Sequence, residues 1–178
     1  MKRRILLTSF DIWLPDQKSN SANDLLIALE KIHPTDDYLT FVKQIPVDVS
    51  LASNRVIKKI RQIQPGAIIC CGMAEKRTQL SVESNASSTA ISSAENHQRV
   101  LYTTVDLELL VKGIETVQIS HDCGKFVCEG LYYSVLDYLQ QNQIKIPCIF
   151  VHVPILTEEN TSSILNHFLL IIDRLALS

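Results

Sequence analysis

The chain has 178 residues, 46% of them apolar, and a formal net charge of −2, which is material for one domain over residues 1–178 with a substantial core. Near-neutral charge, with no basic run beyond Lys2-Arg3-Arg4, argues against nucleic acid as a partner, and no apolar run is long enough to span a bilayer. Ile5-Leu6-Leu7 behind those basic residues stops at Thr8-Ser9, too soon for the apolar region of a secretion signal, so a soluble, cytoplasmic protein is expected. The five cysteines, Cys70, Cys71, Cys123, Cys128 and Cys148, are odd in number and irregular in spacing. They read as reduced thiols rather than as a disulfide framework or zinc site.

Residues 4–10 read as a buried strand, followed by a loop, 11–20, that carries Ile12, Trp13 and Leu14. An apolar trio in a loop commonly folds back over the core; at the end of a first strand it can instead line a ligand crevice. Asn20 or Ser21 suits the cap of a helix with Leu25, Leu26, Leu29 and Ile32 on its apolar face, ended by Pro34. Residues 38–45 alternate as a strand. Asp48 or Ser50 then opens a helix with Val49, Val56, Ile60 and Ile63 inward, ended at Pro65-Gly66. Residues 67–72 form a continuous apolar run, as a strand covered on both faces requires, and 80–86 read as another strand. The serine-rich stretch 87–99 reads as a flexible surface loop, and 105–111 as a short helix. Residues 116–120 form a strand and lead into a helix beginning near Cys128, with Leu131, Val135 and Leu139 on one face. A strand over 147–154 and an amphipathic helix over 157–177 complete the chain. This alternation predicts a three-layer α/β/α sandwich around a mixed, mostly parallel sheet.

Three polar residues stand at informative places. Cys128 falls at a predicted helix N-terminus, where free N–H groups and the macrodipole favour a thiolate and could hold an oxyanion. His152 lies inside the apolar run Ile149-Phe150-Val151-His152-Val153-Pro154, and Glu83 ends Leu80-Ser81-Val82-Glu83. Each has an ordinary reading, as a small buried hydrophobe, a satisfied core histidine and a surface acid respectively. Together they supply a nucleophile, a base and an orienting acid, the set that thiol acyl transfer needs, at three strand ends where ligands of open α/β sheets bind. His33, His97, His121 and His167 read as solvated. No His-x-x-x-His spacing, glycine-rich phosphate loop or Walker pattern occurs, so no metal site is expected.

Asp122-Cys123-Gly124 with Phe126-Val127-Cys128 resembles the nucleophile motif of the pyroglutamyl peptidase I (pyrrolidone-carboxylate peptidase) family of cysteine peptidases, typically Ala-Gly-x-Phe/Tyr-Val/Leu-Cys-Asn. Phe150-Val151-His152-Val153-Pro154 looks like the family's histidine motif. The segment from Gly72-Met73-Ala74 to Arg77, then Leu80 to Glu83, resembles its Gly-x-Ala-Gly-Gly-Arg segment and glutamate strand. Thr8-Ser9-Phe10-Asp11-Ile12-Trp13 resembles its Thr-Gly-Phe-Glu-Pro-Phe loop, and Pro46-Val47 its Leu-Pro-Val. The resemblance implies a phosphorylase/hydrolase-like fold, with Cys128 as nucleophile, His152 as base and Glu83 orienting the imidazole. It also implies Phe10, Trp13, Phe126 and Val127 around the substrate's lactam ring. The substrates it implies are peptides with an N-terminal pyroglutamate, cleaved through a thioester acyl-enzyme without metal or organic cofactor. It leaves a homo-oligomer open.

Departures from the family pattern surround the substrate mouth. Glu129 replaces Asn or Asp beside the cysteine and would raise the thiol pKa. Ser9 replaces glycine, Ile12 proline and Glu75-Lys76 the Gly-Gly pair. The arginine of the segment after the glutamate is missing, and residues 86–103 are shorter than usual. Two alternatives therefore stand beside the peptidase reading: hydrolysis of a related small amide, and a homologue that binds a ligand without turnover.

Overall fold

The computed structural model describes residues 2–32, 37–91 and 98–177. Its strands are β1 (Ile5–Phe10), β2 (Leu39–Ile45), β3 (Ala67–Met73), β4 (Leu80–Glu83), β5 (Asn85–Ser87), β6 (Val100–Tyr102), β7 (Val117–Ser120) and β8 (Cys148–Val153). The helices are α1 (Ser21–Ile32), α2 (Val49–Ile63), α3 (Leu107–Val111), α4 (Val127–Gln141) and α5 (Thr161–Leu177). Local chemistry sets the helix starts. Asn20 Oδ1 accepts from Ala22 N–H at 3.1 Å, and Asp48 Oδ1 accepts from Leu51 N–H at 2.8 Å, each using a backbone donor that the first turn leaves free. At the other end of α2, Gln64 closes the helix in the left-handed region (φ 46°), with its N–H bonded to Ile60 O.

Six strands form one sheet in the order β2-β1-β3-β8-β4-β7. The pairs β2-β1, β1-β3, β3-β8 and β4-β7 are parallel, whereas β4 runs antiparallel to β8. Alternate residues divide the core between the two faces. Ile5, Leu7, Ile69, Cys71, Ile149 and Val151 pack on one face with α1, α3 and α5. Leu6, Ile68, Cys70, Cys148 and Phe150 pack on the other with α2 and α4. The expected three layers and mixed sheet are therefore present.

Two differences from the expected elements are informative. The strand expected over 80–86 is broken at Ser84: β4 stays in the main sheet, and β5 leaves it to pair with β6 in a separate antiparallel ribbon. Apolar alternation carries through Ser84 and cannot show that the chain changes sheet. The serine-rich segment is also less exposed at its start than a surface loop would be. Ser87 is buried and caps a single 3-10 turn, Ser88–Ala90. His33 and His97, read as solvated, lie outside the described residues.

Cys70, Cys71 and Cys148 are core thiols, free and buried. Burial pushes Cys70 up to about 12 and the other two well above the ordinary thiol range. Folded values above the unfolded value of about 8.5 favour the folded state fully at lower pH, and that contribution is lost as pH rises towards the folded values. The urea midpoint is therefore expected to fall between about pH 8 and pH 10, each thiol adding at most about 1.4 kcal/mol per pH unit. Cys70→Ala should make the slope shallower. A midpoint independent of pH over that range would refute this.

Candidate active site

Cys128 is the second residue of α4. The residue before that helix, Phe126, is extended (φ −119°, ψ −156°) and gives no side-chain cap to the N–H groups of the first turn. The sulfur rests against Gly72 of β3. A Cβ built on that glycine would stand 2.6 Å from Cys128 Sγ and 2.9 Å from Phe150 Cζ, so the absent side chain is what admits the thiol. Gly72 pairs in register with His152 of β8. Paired residues on neighbouring strands project to the same face, so the imidazole rises from the strand next to the one the sulfur covers.

His152 is held from two sides. Its Nδ1 lies 2.7 Å from Oε1 of Glu83, whose side chain has no exposure. A carboxylate can only accept, so Nδ1 donates, which in the neutral imidazole leaves the lone pair on Nε2. The Phe150 ring backs the imidazole, with centroids 4.9 Å apart and planes at 53°. Tyr132 packs on Phe150 at 5.7 Å, and its hydroxyl donates to Glu83 O at 3.1 Å. Arg77 Nη1 sits 2.8 Å from the same Oε1, while its Nη2 donates to Ser120 Oγ at 3.2 Å and to Asp122 O at 2.9 Å. Arg77 thereby joins the buried carboxylate to the loop that leads into α4. Gly124 completes that loop at φ 89°, a conformation that favours glycine.

The expectation of three strand carboxyl ends at one rim needs correction. His152 lies near the end of β8, but β4 runs the other way, and Glu83 stands opposite Phe150, two residues earlier in β8. The carboxylate reaches the imidazole diagonally along the shared face. Strand direction leaves no trace in the apolar pattern, so the sequence could not reveal this.

With the geometry in place, comparison with known proteins is decisive. The pyroglutamyl peptidase family model matches residues 3–167. The chain belongs to the pyroglutamyl peptidase family. It is 25% identical to pyrrolidone-carboxylate peptidase 1 of Caldanaerobacter subterraneus subsp. tengcongensis, covering 88% of this chain and 84% of that one. It is also 25% identical to the pyrrolidone-carboxylate peptidase of Bacillus thuringiensis, covering 88% and 80%. Its fold is similar to that of pyroglutamyl peptidase I from Bacillus amyloliquefaciens (TM-score 0.82, 21% identity, 100% and 97% coverage). It is likewise similar to that of pyrrolidone carboxyl peptidase from Thermococcus litoralis (TM-score 0.80, 16% identity, 99% and 94% coverage).

The aromatic residues that the family resemblance singles out occupy different depths. Phe10 is 2% exposed and belongs to the core on the α2/α4 face. Val127 is partly buried against the same core. Trp13 and Phe126 are 62% and 72% exposed, with ring centroids 6.2 Å apart and planes at 44°. The trio Ile12, Trp13 and Leu14 thus stays in the open instead of folding over the core. The loop is tied down by Trp13 N–H donating to Gln17 Oε1 at 2.7 Å and by Asn20 Nδ2 donating to Asp11 O at 3.2 Å.

Two expectations about the thiol change. Burial pushes Cys128 up to about 12, reinforced by the charges of Glu83 and Cys70 and opposed by Arg77 and its own backbone bond. Desolvation therefore opposes the helix end at this partly buried thiol. Glu129, expected to bear on that thiol, turns away: its Oε1 accepts Ser87 N–H at 3.1 Å, and burial raises its own pKa. Its length serves the β5 ribbon. Sequence reasoning gave no separate role to Gly72, Arg77 or Cys123. Gly72 and Arg77 were visible only as family motif positions, and Cys123 only as a motif position and one thiol among five.

The sulfur over Gly72 makes Gly72→Ala an informative change. Glycine inside a strand ordinarily costs about 0.5–1 kcal/mol relative to alanine. Here the clash reverses the sign, and we expect urea unfolding to show a loss of about 1–3 kcal/mol, as overpacking does. An unchanged or higher stability would mean that the sulfur is free to move aside.

Proposed function

We propose that the protein is a cysteine peptidase that removes N-terminal pyroglutamate from peptides, with Cys128 as nucleophile, His152 as general base and acid, and Glu83 orienting the imidazole. The observation that carries this reading is the His152–Glu83 pair, 2.7 Å apart on the face and strand next to the glycine that Cys128 covers. Nε2 of His152 accepts the Cys128 proton as sulfur attacks the carbonyl carbon of the pyroglutamyl residue. Charge then develops on the carbonyl oxygen, beside the first-turn N–H groups of α4, which carry no side-chain cap. The imidazolium, stabilised by Glu83, returns its proton to the leaving amine as the C–N bond breaks. Water, deprotonated by the same imidazole, hydrolyses the thioester and frees the sulfur.

Pyroglutamate is a small neutral lactam, and an apolar slot favours it over a charged free N-terminus. Trp13 and Phe126 are the rings open to it. Phe10 and Val127 form part of the floor.

Release of aminomethylcoumarin from its pyroglutamyl amide tests the reading. Wild type is expected to turn it over, and Cys128→Ala and His152→Ala to lose about 10²–10⁴-fold or more in kcat. A folded wild-type protein inert towards this amide would overturn the proposal. For the slot, Trp13→Ala is expected to raise KM about tenfold, ~1.4 kcal/mol, with a smaller change in kcat. The opposite pattern would place Trp13 outside ground-state binding.

A further inference from the structure

Cys123 occupies the place where the family motif usually has alanine, and it brings a second thiol to the site. It is 4% exposed. Its sulfur, a ring nitrogen of His152 and a carboxylate oxygen of Glu83 all lie within 4.8 Å of one another, and all three residues are buried. Glu83 Oε1 already faces His152 and Arg77, but Oε2 is buried with no hydrogen-bond partner. A thiol, an imidazole and a carboxylate with a free oxygen form the donor set of a zinc site.

We propose that Cys123, His152 and Glu83 bind a soft divalent cation, Zn²⁺ foremost, and that its binding reversibly switches off the peptidase. Tetrahedral zinc sets its ligand atoms about 3.5 Å apart, so the imidazole and carboxylate, now hydrogen-bonded at 2.7 Å, must part slightly while the Cys123 thiol closes on the ion. Binding displaces the Cys123 proton to solvent and forms an S–Zn bond, and the ring proton of His152 moves from Nδ1 to Nε2 so that the Nδ1 lone pair takes the ion in place of its hydrogen bond to Glu83. The new thiolate charge offsets the repulsion between the cation and the Arg77 guanidinium. The fourth position is left to water or to the neighbouring thiol of Cys128. With His152 held by the ion, the proton relay is blocked. Only this inhibitory half rests on the catalytic reading above; binding does not.

The test uses full-length reduced protein titrated with Co²⁺ and Zn²⁺. Wild type is expected to give a near-ultraviolet thiolate-to-cobalt absorption and a Zn²⁺-dependent rise in Tm. Cys128→Ala should keep the absorption. Cys123→Ala and the isosteric Cys123→Ser should lose both signals while remaining folded and active. Their half-inhibiting Zn²⁺ concentration should rise about 100-fold or more, since even outer-shell partners of a metal are worth 10–100-fold. Absence of the cobalt band in wild type, or equal Zn²⁺ affinity in both Cys123 variants, overturns the site. Zn²⁺ inhibition unchanged in those variants overturns the switch alone. A cobalt band in a protein inert towards pyroglutamyl amides sustains the site and rejects the catalytic reading.

Discussion

A carboxylate shut away from water must be compensated from inside the protein, and the compensation of Glu83 organises the surrounding structure. Leaving such a charge unpaired costs on the order of 3–5 kcal/mol. Here a guanidinium and an imidazole share one oxygen, Arg77 at 2.8 Å and His152 at 2.7 Å. The imidazole is thereby fixed in rotation and tautomer. The Nη2 group of the guanidinium donates to Ser120 and Asp122, which ties the loop before α4 to the same point. One ion pair thus positions the histidine directly and the start of the cysteine's helix at one remove.

Glycine at position 72 is the second constraint. It leaves a gap in β3 that the sulfur of Cys128 fills, bounded by the Phe150 ring. Packing on one side raises the thiol's pKa in spite of the helix end, though the residue stays partly exposed. Desolvation and macrodipole act in opposite directions on the same atom. The helix end is worth up to ~2 kcal/mol in favourable, partly buried geometries, whereas full burial moves pKa values by several units.

The fold was legible because apolar runs and alternations are long and their boundaries carry turn and cap residues such as Asn20, Asp48 and Pro65-Gly66. His152 and Glu83 stood out as polar groups in apolar strands, and Cys128 stood out by its place at the start of a helix. Other features were hidden because they depend on what lies opposite in space. The reversal of β4, the break at Ser84, the clearance above Gly72 and the second thiol at Cys123 are properties of pairs of elements, and no local pattern encodes them. The exposed trio of Ile12, Trp13 and Leu14 had two readings, and its anchoring by Gln17 and Asn20 decided between them. Glu129 shows the limit of reasoning by adjacency: it is next to the cysteine in sequence, yet its carboxylate serves Ser87.

The order β3-β8-β4 has a consequence for how the molecule comes together. The strand bearing the histidine is the last to leave the ribosome, yet it occupies a middle place in the sheet. Until it arrives, the two older blocks, β2-β1-β3 and β4-β7, have no shared ladder, and the glutamate waits for an imidazole 69 positions further along the chain. Such distant closure is the slow kind of assembly. A nascent chain shorter than about 150 residues therefore exposes two unpaired strand edges, and the histidine–glutamate pair forms only once β8 has been inserted.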